Sequence, residues 1–355
     1  MKTLLRLLLK TQHQRNRSAP AQTEKGMTLV ELLVGSIMAF LIITPMLAFV
    51  VDMLNTDRRE QVKSNTEQDL QAAVDFIAQD LSQAIYIYDN DPTTGIPAIK
   101  SFLPPQTNKT PILVFWKRQV LKNSLPVDIN LTPQPDKCDS SAKPGTAGEC
   151  NDTYVLSLVA YYQIKDTDST WCQPQGSACP TRIARYQIQD GLENKSSDPT
   201  KPYTGLNSGQ KTSPAYNGTP VGTTPAFDIT KPEQNVTNLP PGNWDGSDVL
   251  VNYIDHSKVA LVGNECTLAF NNPKDSKGDA VLETTLRVTD SPAATDTNSF
   301  YACVDRSNNQ NIARVTIRGN SLRRLQANDA DFKSTSSAFF PTATVQVQGL
   351  GARGK

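Results

Sequence analysis

Glu31 is the most conspicuous reactive group near the start of this 355-residue chain, because it stands five residues into the apolar run Met27–Val51. A carboxylate in a membrane-crossing helix costs about 2.5–3.5 kcal/mol on insertion scales and normally takes a partner. No lysine or arginine occurs between Met27 and Asp57, so the partner comes from elsewhere, or the carboxyl snorkels or is protonated near the inner face. The rest of the inventory excludes several chemistries. With two histidines, His13 and His256, the chain lacks the imidazoles for a His-rich metal site, an HExxH hydrolase or most Ser-His-Asp and Cys-His sets. His256 does sit in the string Asp255-His256-Ser257, but sequence neighbours rarely form a triad and no nucleophile elbow occurs. There is no GxxxxGK[ST] loop, no GxGxxG after a strand and no EF-hand loop. The Asp/Asn-rich turns at 89–91 and 271–279 read as solvated turns, and no carboxylate pair is singled out for glycoside hydrolysis. The sequence therefore assigns no catalytic residue, no metal ligand and no cofactor, and the chain is read as a non-enzyme.

Charge points the same way. The 35 Lys+Arg balance 35 Asp+Glu, which gives no expectation of a nucleic-acid partner. Arg314, Arg318, Arg323 and Arg324 form a basic region that reads as a solvated face. Six cysteines (Cys138, Cys150, Cys172, Cys179, Cys266 and Cys303) all follow the apolar run, where an oxidising compartment permits disulfides. Closing the shortest loops pairs Cys138 with Cys150, Cys172 with Cys179 and Cys266 with Cys303. A zinc site lacks CxxC spacing and histidine support.

The elements that must position these groups are legible in outline. Residues 1–26 carry six basic residues against one acid and should stay on the cytoplasmic side. Met27–Val51 is long enough as a helix, roughly 37 Å, to cross a hydrocarbon core of roughly 30 Å. No second run of that length follows, so the remainder is expected as an exported head. Pro45 should kink or loosen this helix near Thr44. Apolar residues then recur at Val62, Leu70, Ala73/Val74, Ile77, Leu81, Ala84/Ile85 and Tyr88, which predicts an amphipathic helix over 52–89 continuing the first. After Asp91-Pro92 the chain breaks into short runs typical of strands: Ile112–Leu121, Tyr154–Lys165, Ile183–Gln189, Val249–Ile254, Val259–Val262, Leu282–Val288, Phe300–Val304, Ala313–Arg318 and Ala343–Gln348. The expected class is α+β, a long N-terminal helix followed by a mostly antiparallel head over 90–355. Within it 194–247, rich in Pro, Gly, Thr, Asn and Ser, is expected as a surface excursion or flexible insertion.

The junction Lys25-Gly26-Met27-Thr28-Leu29-Val30-Glu31 resembles the type IV prepilin signal, with methionine where that family most often has phenylalanine. The resemblance implies that a prepilin peptidase cuts between Gly26 and Met27 and methylates the new terminus at Met27. It further implies that Glu31 pairs with the Met27 amine of a neighbouring subunit. The stripe AVDFIAQDLSQA (73–84) is similar to that of larger minor pilins and pseudopilins. Segments PILVFWKRQ (111–119), LSLVAYYQI (156–164), RIARYQIQDG (182–191), VLVNYID (249–255), FYACVDR (300–306), VTIRGNSLRRL (315–325) and FFPTATVQVQG (339–349) resemble the cyanobacterial hormogonium polysaccharide secretion pseudopilins. The resemblance covers most of the chain apart from 194–247. It implies a non-enzymatic subunit whose partners are other pilins and pseudopilins, an inner-membrane assembly platform and polysaccharide, and which supports gliding motility. A minor pilin for adhesion or DNA uptake, and a signal-anchored exported enzyme, are the competing expectations.

Overall fold

The computed structural model describes residues 28–104, 107–126, 150–165, 168–176, 179–189, 192–193, 202–203, 229–236, 248–261, 263–289 and 298–353. The chain divides into two compact units, residues 1–58 and 59–355. In the first unit the described residues form the start of helix α1 (Leu29–Ser82), whose apolar side chains from Leu29 to Leu54 are exposed. The helix continues through Pro45, so the kink or loosening expected near Thr44 does not interrupt it. Thr44 donates its hydroxyl to the Phe40 carbonyl at 2.8 Å, one turn back, beside the Leu41 carbonyl that Pro45 leaves without its N–H partner.

In the second unit, α1 buries Thr66, Leu70, Ala73, Val74, Ile77 and Leu81, a spacing of three to four residues that lays one stripe on the core. Each fully buried Leu or Ile contributes about 1.5–3 kcal/mol of burial, offset by the entropy of ordering it. The helix ends at Ser82, not at Asp89 as the sequence pattern suggested. Ser82 turns its hydroxyl back onto the Gln79 carbonyl, and the run Ile85-Tyr86-Ile87-Tyr88 favours extended backbone. Strand β1 (Ala84–Ile87) therefore follows directly and pairs antiparallel with β2 (Lys109–Pro126).

Next come β3 (Cys150–Ile164), β4 (Thr181–Gln189), the two-residue pair β5 (Leu192–Glu193) and β6 (Pro202–Tyr203), and β7 (Asp248–Ile254). Strands β1-β2-β3-β4-β7 form one antiparallel sheet in that order. The centres of β2 and β3 are buried on both faces, which explains why PILVFW and LVAYY read as nearly unbroken apolar runs. One face carries Phe115 stacked on Tyr161 and turns Lys117 to Asp80 of α1. On the other, the Trp116 indole donates to the Tyr88 hydroxyl at 2.9 Å, which in turn donates to the Pro232 carbonyl at 2.9 Å. Pro232 and Val236 are buried, Val236 in the same core, while Ile229, Thr230, Lys231 and Gln234 are exposed, so the segment 229–236 runs over the surface and is pinned to the core at two points. Most of the rest of 194–247 lies outside the described residues.

The second sheet has the order β11-β10-β9-β8, built from β8 (Arg287–Val288), β9 (Phe300–Asp305), β10 (Ile312–Arg318) and β11 (Thr342–Gln348). Two expected strands are not formed over their full runs among the described residues. Residues 259–261 have no regular structure, with Val262 outside the described residues. Leu282–Val288 is a short helix, Glu283–Leu286, before the two-residue β8. The reason is tertiary: Glu283 accepts from the N–H groups of Cys266 and Thr267 at 3.0 and 2.8 Å, capping the helix Glu265–Ala269. The two sheets meet at Asn311, whose side-chain amide accepts from the Ile87 N–H at 3.0 Å and donates to the Ala84 carbonyl at 3.1 Å. Gly349 lies against this contact, and a Cβ there would fall 2.4 Å from the Ala84 oxygen.

Candidate functional site

Gly26 and Met27, the residues expected to flank a cleavage, lie outside the described residues. Just after them Thr28 and Glu31 form a reciprocal cap on α1. The Thr28 N–H and hydroxyl donate to Glu31 Oε2 at 3.1 and 3.2 Å, and the Glu31 N–H donates to Thr28 Oγ1 at 3.3 Å. This is the Thr-x-x-Glu capping box, which satisfies helix N–H groups reciprocally. Glu31 thus has an uncharged hydrogen-bond partner in its own chain, Thr28, which was not among the expected arrangements. Among the described residues, both donors to the carboxylate, the Thr28 N–H and hydroxyl, meet Oε2.

A single helix, α1, is long and apolar enough among the described residues to cross a membrane, and its apolar window is wholly exposed. The other end of the same helix is held by a buried ion cluster. Asp80 Oδ1 accepts from Lys117 Nζ at 2.8 Å, and Oδ2 accepts from Arg185 Nε and the Tyr161 hydroxyl, both at 2.7 Å. Arg185 Nη2 extends the network to Gln187 at 2.6 Å, and Gln187 to Gln119 at 3.2 Å. Burial alone would raise the Asp80 pKa, but the Arg185 hydrogen bond and the Lys117 charge outweigh it and hold the carboxyl below the usual range. The tyrosine is pushed far the other way by burial and then by the carboxylate, so Tyr161 remains a donor. Two cations face one carboxylate here, and the excess charge is favourable beside the C-terminal carbonyls of α1. Sequence reasoning missed this cluster, because Asp80, Lys117, Tyr161 and Arg185 come from four elements and none of them is unusual alone.

The Asp255-His256-Ser257 string does not make a triad. Asp255 is fully buried and accepts from the Ser257 hydroxyl at 2.5 Å and from Arg318 Nε at 2.8 Å, while Ser257 Oγ accepts the Phe332 N–H at 2.6 Å. His256 turns instead towards Asp331, 3.3 Å away, and Asn320. Burial lowers the His256 pKa more than the charges of Asp255 and Asp331 raise it. The arginine region disperses likewise. Arg318 serves Asp255, Arg324 pairs with Asp69 of α1, and Arg323 is fully buried and donates to the Pro174 carbonyl at 2.5 Å. Arg318 and Arg323 are therefore internal fastenings, whereas Arg324 pairs at the surface and Arg314 is half-buried on β10.

Two disulfides are formed as the loop lengths suggested, Cys172–Cys179 and Cys266–Cys303. Cys138 lies outside the described residues, and so does the pairing expected of it with Cys150. Asp91 and Asp275 close Asx turns, accepting from Thr93 and Thr94 and from Lys277 and Asp279 respectively. Among the described residues no group of three His, Cys, Asp or Glu side chains is placed to hold a metal ion. In comparisons with known proteins, no family model, no curated protein and no solved structure matches the chain.

Proposed function

We propose that the chain is a minor pilin or pseudopilin that assembles with type IV pilus-like machinery and supports secretion of an extracellular polysaccharide. The observation that carries this reading is the division of α1: apolar and exposed from Leu29 to Leu54, then buried against a disulfide-bonded β head from Thr66 to Leu81. A helix that anchors in lipid and also forms the spine of an exported domain is what a filament subunit needs, and a signal anchor does not require it. The sequence Gly26-Met27 at its start and Glu31 in its first turn support the same reading. On this view the head lies beyond the inner membrane, where disulfides persist. Glu31 then caps its own helix before assembly and meets a neighbour's Met27 ammonium within the filament.

The test is intact-mass and N-terminal peptide analysis of the membrane-fraction protein from cells with and without prepilin peptidase. The expected terminus is Met27 carrying one added methyl, lost when the peptidase is absent. An uncleaved terminus, or cleavage elsewhere, would overturn the filament reading. The cargo is tested separately: deletion should abolish extracellular polysaccharide while surface pili persist, whereas loss of attachment or transformation alone would point to an adhesive or DNA-uptake pilin.

A further inference from the structure

At the C-terminal end of α1 one chain of contacts leads from the core to the surface. Arg185 donates from Nε to Asp80 and from Nη2 to Gln187 Oε1, and the Gln187 amide donates to Gln119 Oε1. Asp80 has both oxygens engaged, one by Lys117 and the other by Arg185 and Tyr161. Every carboxylate and carboxamide oxygen in this chain of contacts is therefore taken. The donors are not: among the described residues, Arg185 Nη1 and the Gln119 amide nitrogen meet no acceptor. Arg185, Gln187 and Gln119 are half-buried, and neither of these nitrogens is sealed from solvent.

Phe76 flanks the same guanidinium. It lies off the buried stripe of α1, is 43% exposed, and has the Arg185 guanidinium carbon 5.8 Å from its ring centre. Packing of the head therefore does not account for an aromatic side chain at this position. Two further acids lie near. Asp75 accepts from the Gln71 amide at 2.9 Å. Asp248 stands opposite Arg185 in the β4–β7 register and, among the described residues, forms no ion pair with it.

The two kinds of group select a ligand. Donors whose neighbouring acceptors are all engaged fit a group that only accepts, which is an ionised acid; a hydroxyl brings a donor of its own that would find no acceptor here. An open aromatic ring beside the guanidinium fits a flat apolar face attached to that acid. A sugar residue bearing an acid group has both features, whereas a side-chain carboxylate has only the first. We propose that Phe76, Arg185, Gln187 and Gln119 bind an anionic sugar residue of a polysaccharide. The acid group meets Arg185 Nη1, the ring lies against Phe76, and the Gln119 amide donates to an oxygen further along the glycan. Asp248 is the acceptor that competes for Arg185. The choice of a glycan rests on the secretion reading above, and the choice of an acidic one on the spare donors.

The test uses the full-length protein in detergent and three probes, read by calorimetric titration: polygalacturonate, the same polymer reduced at its carboxyl groups, and polyglutamate. Polygalacturonate should bind, and the other two should bind about tenfold more weakly or less. Phe76→Ala and Gln119→Ala should each weaken polygalacturonate binding by about fivefold while the thermal unfolding transition stays in place. Asp248→Asn, which removes the competing acceptor, should strengthen it. No binding, equal binding of the reduced polymer, or indifference to both the Phe76 and Gln119 substitutions would overturn the proposal. Polyglutamate bound as tightly would also overturn it, by assigning the strip to an acidic protein segment. The filament reading is decided separately, at the amino terminus: a methylated Met27 in a protein that binds no polygalacturonate would end the glycan site and leave the pilin reading standing.

Discussion

Replacing Asp80 by asparagine would leave Lys117 and Arg185 facing each other in a dry seam, with the Tyr161 hydroxyl still to be satisfied. Breaking a buried pair by removing one partner typically costs about 3–5 kcal/mol, and Asp80→Asn is expected to lose stability in that range by urea denaturation. The acid dependence follows from the same contacts. The folded carboxyl has a lowered pKa, so its contribution is complete above the ordinary carboxylate range and is lost as pH falls through that range towards the folded value. The wild-type protein should therefore lose stability steeply with acid below about pH 4, and Asp80→Asn should flatten that slope. Neither the cluster nor its sign was legible in the sequence, since acids are numerous and only the fold selects one. The Thr28–Glu31 cap, by contrast, is written as Thr-x-x-Glu immediately before an apolar run, and that signal was available.

Among the elements, the two disulfides close loops of very different size, separated by 37 and 7 residues. Chain entropy then favours the larger loop, about 4 against about 2 kcal/mol. Replacing Cys266 and Cys303 together by alanine should lower the melting temperature more than replacing Cys172 and Cys179, measured by calorimetry of the oxidised protein. The longer strands were readable, because Val, Ile, Tyr and Phe runs between Pro, Gly and Asn leave few other choices, and β2, β3, β4, β7, β9, β10 and β11 all overlie expected runs. Residues 84–88 were misread for a physical reason. Ala84, Ile85 and Tyr88 continue the helical spacing, and the same residues suit a strand buried on both faces. Glu283–Leu286 was misread as part of a strand because the reason for its helix lies elsewhere, at the N–H groups of Cys266 and Thr267 that its glutamate caps.

At the scale of the molecule, the division of exposed apolar from buried apolar surface falls between Leu54 and Thr66. A chain beginning at Arg59 keeps the whole buried stripe of α1 and none of the exposed run, so it should be soluble, monodisperse and cooperatively folded. The full chain should stay in the membrane fraction through alkaline carbonate extraction; partition of the two proteins, and the melting curve of the shorter, check both statements. The α+β order was evident from the sequence, whereas the packing of 229–236 over Tyr88 was not, since a Pro/Asn-rich stretch with one buried valine resembles any loop. Asn311 has a wider consequence. Its side chain stands in for a backbone peptide, offering Ile87 an acceptor and Ala84 a donor at once. Among the genetically encoded side chains only a primary amide does both in that plane, and glutamine is one methylene too long for the same reach. Aspartate lacks the donor, and serine and leucine lack the paired geometry. Position 311 is therefore expected to tolerate replacement less than the exposed turns around it.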